Sequence, residues 1–275
     1  REGHTNILMD TLLENAQNLL GVNEDNILGG IESLKHKDKV VVETREDNDY
    51  VYRKSIYIAE KNIANKIVEL TRKPTLNIKL TRDIEEVSKK QSIVLSDTQK
   101  EAVTSAIKNN ISIITGGPGT GKTTIIKCVI DILKRREQSY VLAAPTGRAA
   151  KRITETTREE AKTLHRLLEI TKIEDTDVDT FVNYPVNTID ADVLIIDEAS
   201  MIDTLLMNNV MKALSSATKL IIVGDSNQLP SVGAGNVLKD IIDSGMVNTI
   251  YLTEIYRQSA KSDIIMGAHA VKNGE

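Results

Sequence analysis

Tryptophan is absent from the 275 residues, phenylalanine occurs once and tyrosine seven times. A protein that grips unpaired nucleic acid by stacking bases on side chains needs aromatic platforms. This chain has few, so any strand it binds must be held through its backbone. Cysteine occurs once, at Cys128, which excludes an internal disulfide framework and fits a reducing compartment; the expected location is cytoplasmic. No apolar run reaches the roughly 18 residues of a membrane span, so no membrane partner is expected. The opening REGHTNILMD lacks the basic-then-apolar layout of a signal peptide. A strong charge of one sign is missing too. A net charge of −4 argues against a protein that coats nucleic acid over its whole surface.

What is present is unevenly spread. Residues 122–166 carry 11 Lys/Arg against 5 Asp/Glu, whereas 169–203 carry 10 Asp/Glu and one Lys. The local fields are therefore opposite in sign although the total is small. An apolar content of 40% suffices for a real core, and the length suits one large domain or two smaller ones.

The first 90 or so residues differ in pattern from the rest. Leu8, Leu12, Leu13, Ala16, Leu19 and Leu20 recur at helical spacing, and Ile27, Ile31 and Leu34 predict a second helix. Val40–Val42 and Tyr50–Tyr52 flank the charged turn REDND, which reads as a hairpin. Helix, helix, hairpin is the order of a small winged-helix-like α+β domain, assigned to residues 1–72. Its final helix carries Ala59, Ile63, Ile67 and Leu70 and is stopped by Pro74. Residues 73–95 read as a linker with a short helical piece.

From residue 96 the chain alternates helix and strand. Apolar strands are expected at Ile111–Ile114, Tyr140–Ala144, Val193–Ile196, Leu220–Val223 and Thr249–Leu252. Near-continuous apolar strands separated by helices predict an α/β domain, a parallel sheet covered by helices on both faces. The acidic stretch 171–190 reads as a surface insertion.

Residues 116–123, GGPGTGKT, match G-x-x-x-x-G-K-[ST] in full and lie between an expected strand and an expected helix. Such a P-loop turns backbone N–H groups inward around phosphate oxygens, and the helix N-terminus adds its positive end. Gly117, Gly119, Thr120, Gly121, Lys122, Thr123 and Thr124 are the candidate ATP-binding residues. Lys122 is placed at the β- and γ-phosphates, and Thr123 on Mg²⁺. The strand Val193–Ile196 ends in Asp197-Glu198. A carboxylate at that edge can hold Mg²⁺, which assigns Asp197 to the metal. Glu198 is then the base for the attacking water. The run VGDSNQLPS (223–231) delivers Asp225 and Gln228 to the same edge. An amide placed there can bond both the γ-phosphate and the attacking water.

Seven segments in this order carry a family resemblance: LSDTQKEAV (95–103), TGGPGTGKTT (115–124), LAAPTGRAAKRI (142–153), TLHRLL (163–168), VLIIDEASMID (193–203), VGDSNQLPSVGAGNVLKD (223–240) and LTEIYRQ (252–258). Together they resemble the RecD-like family of superfamily 1 DNA helicases, which move 5′ to 3′. The resemblance implies a RecA-like motor domain over 96–275, hydrolysis of ATP with Mg²⁺, and action on single-stranded DNA and its junctions with duplex. It implies roles in DNA repair and recombination. Gln99 would read the adenine edge, although Ser96-x-x-Gln99 is equally a helix capping box. Arg257 would reach the γ-phosphate. Thr146, Arg148 and Thr163 would touch the DNA backbone, the alternative being a solvated basic helix face. His165 is assigned no chemistry, and Cys128 reads as a buried apolar side chain. Helicases of this family use a second motor domain; the sequence ends at Glu275, so the expectation is an N-terminal portion, nearly inactive alone. A nucleotide-dependent DNA-binding or switch module without motor activity is the alternative from another class.

Overall fold

The computed structural model describes residues 3–170 and 185–254. At the N-terminal end, strand β1 (Asn6–Leu8) leads into helices α1 (Met9–Leu20) and α2 (Glu24–His36), followed by β2 (Val40–Arg45) and β3 (Asn48–Arg53). The helix-helix-hairpin order is present, with β1 added: the small antiparallel sheet runs β1-β3-β2. The hairpin turn is tighter than REDND. Glu46 and Asp47 take left-handed φ values of 47° and 64°, the two-residue turn whose twist matches its strands. The flanking Arg45 and Asn48 pair directly. Helix α1 buries none of its residues, and Leu19 and Leu20 face solvent.

Helix α3 (Lys54–Arg72) links this sheet to the rest of the chain. Its Ala59, Ile63, Ile67 and Leu70 are buried as their spacing predicts. Ile63, Ile67 and Leu70 join the core under one face of the large sheet, and Asn62 Nδ2 donates to Asn208 Oδ1 at 3.1 Å. Within 73–95 the helical piece is α4 (Thr81–Gln91), and it is docked rather than free. Ile84 and Val87 enter the core. Asp83 pairs with Arg135 and Arg136, Glu86 with Arg135, and Lys90 with Asp131.

The large domain continues through α5 (Asp97–Lys108), β4 (Ile111–Gly116), α6 (Lys122–Arg135), β5 (Tyr140–Ala144), α7 (Gly147–Thr157), β6 (Ala161–Thr163) and α8 (Leu164–Leu167). After β7 (Val193–Ile196) come a 3-10 turn (Ala199–Met201), α9 (Thr204–Ala213), β8 (Lys219–Gly224), α10 (Val237–Asp243) and β9 (Thr249–Leu252). The six strands are parallel, in the order β6-β5-β7-β8-β4-β9. The α/β parallel sheet predicted from the apolar runs is thus the observed architecture.

Neighbouring strand residues point to opposite faces, and the two cores follow that rule. Ile114, Ile195 and Val223 pack with Val103, Ile125, Val129 and Ile153 on one side. Ile113, Ile196 and Ile222 pack with Ile63, Leu206, Val210 and Leu238 on the other. Helices therefore cover both faces. Of the acidic stretch 171–190, residues 171–184 lie outside the described residues; Ile189 returns to the core at 5% exposure. Among the described residues no helix is long and apolar enough to cross a membrane.

Candidate nucleotide site

The chain leaves β4 for α6 through the glycine-rich loop at the carboxyl edge of the sheet, where open α/β sheets bind ligands. A Cβ on Gly116 would stand 2.8 Å from both Cβ and the carbonyl oxygen of Leu252, so the neighbouring strand can lie this close only to a glycine. Gly119 (φ 79°) and Gly121 (φ 90°) take left-handed turns that aim the loop's N–H groups inward. Thr120 is buried, and its hydroxyl donates to the Gly117 carbonyl at 2.8 Å, bracing the loop. Thr123 and Thr124 lie half-buried on the first turn of α6.

Lys122 reaches back over the loop: its ammonium donates to the carbonyls of Gly116 (2.5 Å) and Gly117 (2.9 Å). Burial pulls its pKa below the usual lysine range, against the opposing pull of Asp225, Asp197 and Glu198. Groups from the ends of β4, β7 and β8 thus share one electrostatic neighbourhood.

Asp197 follows β7 and is 9% exposed. Its Oδ1 accepts the Glu198 N–H at 2.9 Å. Burial pushes its carboxyl up to about 6; the Glu198 charge adds to this, and Lys122 opposes it. A buried carboxylate with so little compensation suits a cation. No cluster of three or more His, Cys, Asp or Glu able to hold a metal exists among the described residues. A Mg²⁺ here would therefore take Asp197, the Thr123 hydroxyl, phosphate oxygens and water, the ligand set this hard ion prefers.

That burial has a cost on folding. The folded pKa of about 6 lies above the ordinary aspartate value of 3.8. Protonation thus favours the folded state, and stability falls as pH rises through 6. Asp197→Asn removes the charge while keeping the acceptor for Glu198 N–H. In the nucleotide-free protein at pH 8 it should stabilise by up to about 3 kcal/mol. Thermal melts at pH 8 and pH 4 check this; the gain should shrink at pH 4, and an equal gain at both would point to another cause.

Glu198 holds a left-handed backbone (φ 55°, ψ 40°), a conformation that costs a non-glycine residue roughly 1–3 kcal/mol. The turn swings its side chain off the strand direction, to where Oε1 lies 3.5 Å from Nη1 of Arg152 on α7. After β8, Asp225 is buried and its carboxylate accepts Asn227 N–H at 3.0 Å. Gln228 is exposed, and its Oε1 accepts the Ser200 hydroxyl at 3.0 Å. The 3-10 turn beginning beside Glu198 therefore orients the amide of Gln228.

Gln99 is 2% exposed and forms the capping box: its Oε1 accepts Ser96 N–H at 3.2 Å, and the Ser96 hydroxyl accepts Gln99 N–H at 3.3 Å. Its Nε2 donates to the Thr120 carbonyl at 3.4 Å, tying the start of α5 to the P-loop.

The family model described as an AAA domain matches residues 99–234. The chain is 35% identical over 225 residues to the ATP-dependent RecD2 DNA helicase of Deinococcus radiodurans, covering 82% of this chain and 30% of that protein. It is 39% identical over 216 residues to the RecBCD enzyme subunit RecD of Buchnera aphidicola, covering 70% of this chain and 35% of that protein. Over the matched residues the chain resembles RecD. It spans about a third of the length of these curated relatives. Among solved structures, the Pif1 helicase from Candida albicans aligns at TM-score 0.47 and 24% identity, over 66% of this chain and 45% of that one.

In the RecD-like chain the three residues assigned to DNA lie beside the same sheet edge. Thr146 and Thr163 are helix N-caps: their hydroxyls accept Ala149 N–H and Arg166 N–H, each at 3.2 Å. Arg148 is exposed on the first turn of α7. Arg257 lies outside the described residues. His165 is exposed, and Cys128 is buried, its thiol pushed up to about 12 by burial, which leaves it inert. Sequence reading missed Arg152 and Ser200. Their partners Glu198 and Gln228 are 46 and 28 residues away, beyond any local pattern.

Proposed function

We propose that the RecD-like chain is the nucleotide-binding portion of an ATP-dependent DNA helicase that moves 5′ to 3′ on single-stranded DNA. The observation that carries this reading is the convergence of Lys122, Asp197, Glu198 and Asp225 from the ends of three adjacent strands. Incoming phosphates compete with the Gly116 and Gly117 carbonyls for the Lys122 ammonium. The glycine-rich loop and the start of α6 supply further donors. Mg²⁺, held by Asp197 and Thr123, would neutralise charge on the phosphates. Glu198 takes the proton of the attacking water. Gln228, oriented by Ser200, bonds that water and the γ-phosphate, and the family resemblance assigns Arg257 to the γ-phosphate as well. Gln99, fixed between Ser96 and Thr120, meets the adenine. Residues 1–72 form the N-terminal module, 73–95 the connecting segment, and 96–275 a motor domain that works against a second one, in the cytoplasm.

Thr146, Arg148 and Thr163 are suited to phosphate oxygens, and the scarcity of aromatics leaves little means to read bases. Binding of single strands by the full-length protein, and of their junctions with duplex, should therefore weaken steeply with salt and differ little between oligo-dT and mixed sequences. Titration of both oligonucleotides across a salt series checks this. A marked sequence preference with a flat salt response would sink backbone recognition. A switch module without motor activity would bind ATP yet show no stimulation of turnover by single strands.

A further inference from the structure

We infer that Arg152 is a positioning residue: it tethers the Glu198 carboxylate in the strand-free state and releases it when α7 engages a DNA phosphate. This rests on the helicase reading above.

The tether crosses between two elements. Arg152 lies on α7, and its Nη1 donates to Glu198 Oε1 at 3.5 Å. Glu198 cannot relax through its backbone, which the left-handed turn and the Asp197 carboxylate fix through its N–H. The carboxylate is therefore the part free to move, and Arg152 is the cation in contact with it. Arg152 also bears on Lys122 and Asp197, so its charge belongs to the nucleotide site although its helix also carries the exposed Arg148 and Lys151.

The other side of the tether faces solvent. The Arg152 side chain is 72% exposed, against 20% for Glu198. Arg148 stands four residues earlier, on the same helix face one turn nearer the Thr146 cap. A strand lying along that face meets both guanidinium groups. Arginine forms two parallel bonds with a phosphate, whereas here a single nitrogen reaches Glu198 at the long end of hydrogen-bond range. Exposed ion pairs of this kind are weak. A phosphate can outcompete the carboxylate, freeing Glu198 for the attacking water. The strand and the Glu198 carboxylate then compete for the same arginine, so strand binding weakens the tether and the tether weakens strand binding to the same extent.

The test uses the full-length protein. Arg152→Ala should raise strand-free kcat about two- to five-fold, the range an exposed pair's strength allows. KM for ATP should hold, and the stimulation by single strands should shrink. Arg152→Lys should restore part of the stimulation. A second measurement is independent of turnover. Glu198→Gln frees Arg152, so it should tighten oligo-dT binding without nucleotide, and that gain should vanish in the Arg152→Ala background. A fall in kcat with and without DNA, or no effect of Glu198→Gln on strand affinity, overturns the tether while leaving the helicase reading intact. Absence of both turnover and strand binding in the unaltered protein would overturn the helicase reading and the tether with it.

Discussion

Lys122→Ala is expected to abolish tight Mg·ATP binding and turnover in the full-length protein. The ammonium is partly buried and already oriented, held by the carbonyls of Gly116 and Gly117. Burial lowers its pKa, a sign that its charge is poorly solvated where it sits. Phosphate oxygens are far better partners than carbonyls, because a bond between two ionised groups is about twice as strong as a neutral one. Removing the ammonium leaves the loop N–H groups alone against a triphosphate, with Asp197, Glu198 and Asp225 still contributing negative charge. The fold should survive, since the apolar residues of α6 that enter the core are untouched. Titration with a fluorescent ATP analogue, beside a thermal melt, separates the two. Unchanged affinity in a folded variant would mean that the cradle holds no nucleotide.

Glu198→Gln should lower turnover by about 10²–10⁴ while ATP binding persists, if Glu198 is the base. The substitution keeps shape and the bond from the Glu198 N–H to Asp197. It removes the one carboxylate that the backbone turns away from the strand axis. It also removes one negative charge near Lys122, so nucleotide affinity should hold or rise. Steady-state ATPase with saturating single strands, paired with equilibrium binding, checks both halves. Near-normal turnover would move proton removal to another group, and loss of binding would make Glu198 part of the cradle.

The central strands were legible because parallel strands buried on both faces must be apolar throughout. Tyr140–Ala144 and Val193–Ile196 coincide with the expected runs, and Ile111–Ile114 and Leu220–Val223 lie inside slightly longer strands. Thr249–Leu252, also expected, is the β9 edge, where Ile250 and Leu252 still enter the core. The same logic fails at the shortest edges. β6 is Ala161–Thr163 with a lysine at its centre, and β1 is only Asn6–Leu8; neither is long enough to show a period. Helix α4 has two buried residues among charges, so its role is visible only once Arg135, Arg136 and Asp131 stand opposite. Periodicity identified α1 as a helix but said nothing of what covers it, and none of its residues is buried.

The site follows the same division. The phosphate loop is a local motif, so its sequence specifies its shape. Gln99 has a local partner in Ser96, and the capping box readable from spacing is formed. Its bond to Thr120 is not local and could not be read. Arg152 with Glu198, and Ser200 with Gln228, meet only because β5, β7 and β8 lie side by side.

The strand order also fixes where the molecule can breathe. β4, β7 and β8 are wholly buried and flanked on both sides, so their amides should exchange with solvent only through large-scale opening. The phosphate loop, the acid pair and the amide turn hang from those three strands. β6 is an edge strand of three residues, carrying Thr163 and leading into the four-residue α8. On the function proposed above, fraying from that edge would loosen the surface assigned to DNA and leave the groups assigned to hydrolysis in register. One sheet would then give a rigid floor to the nucleotide and a yielding rim to the strand.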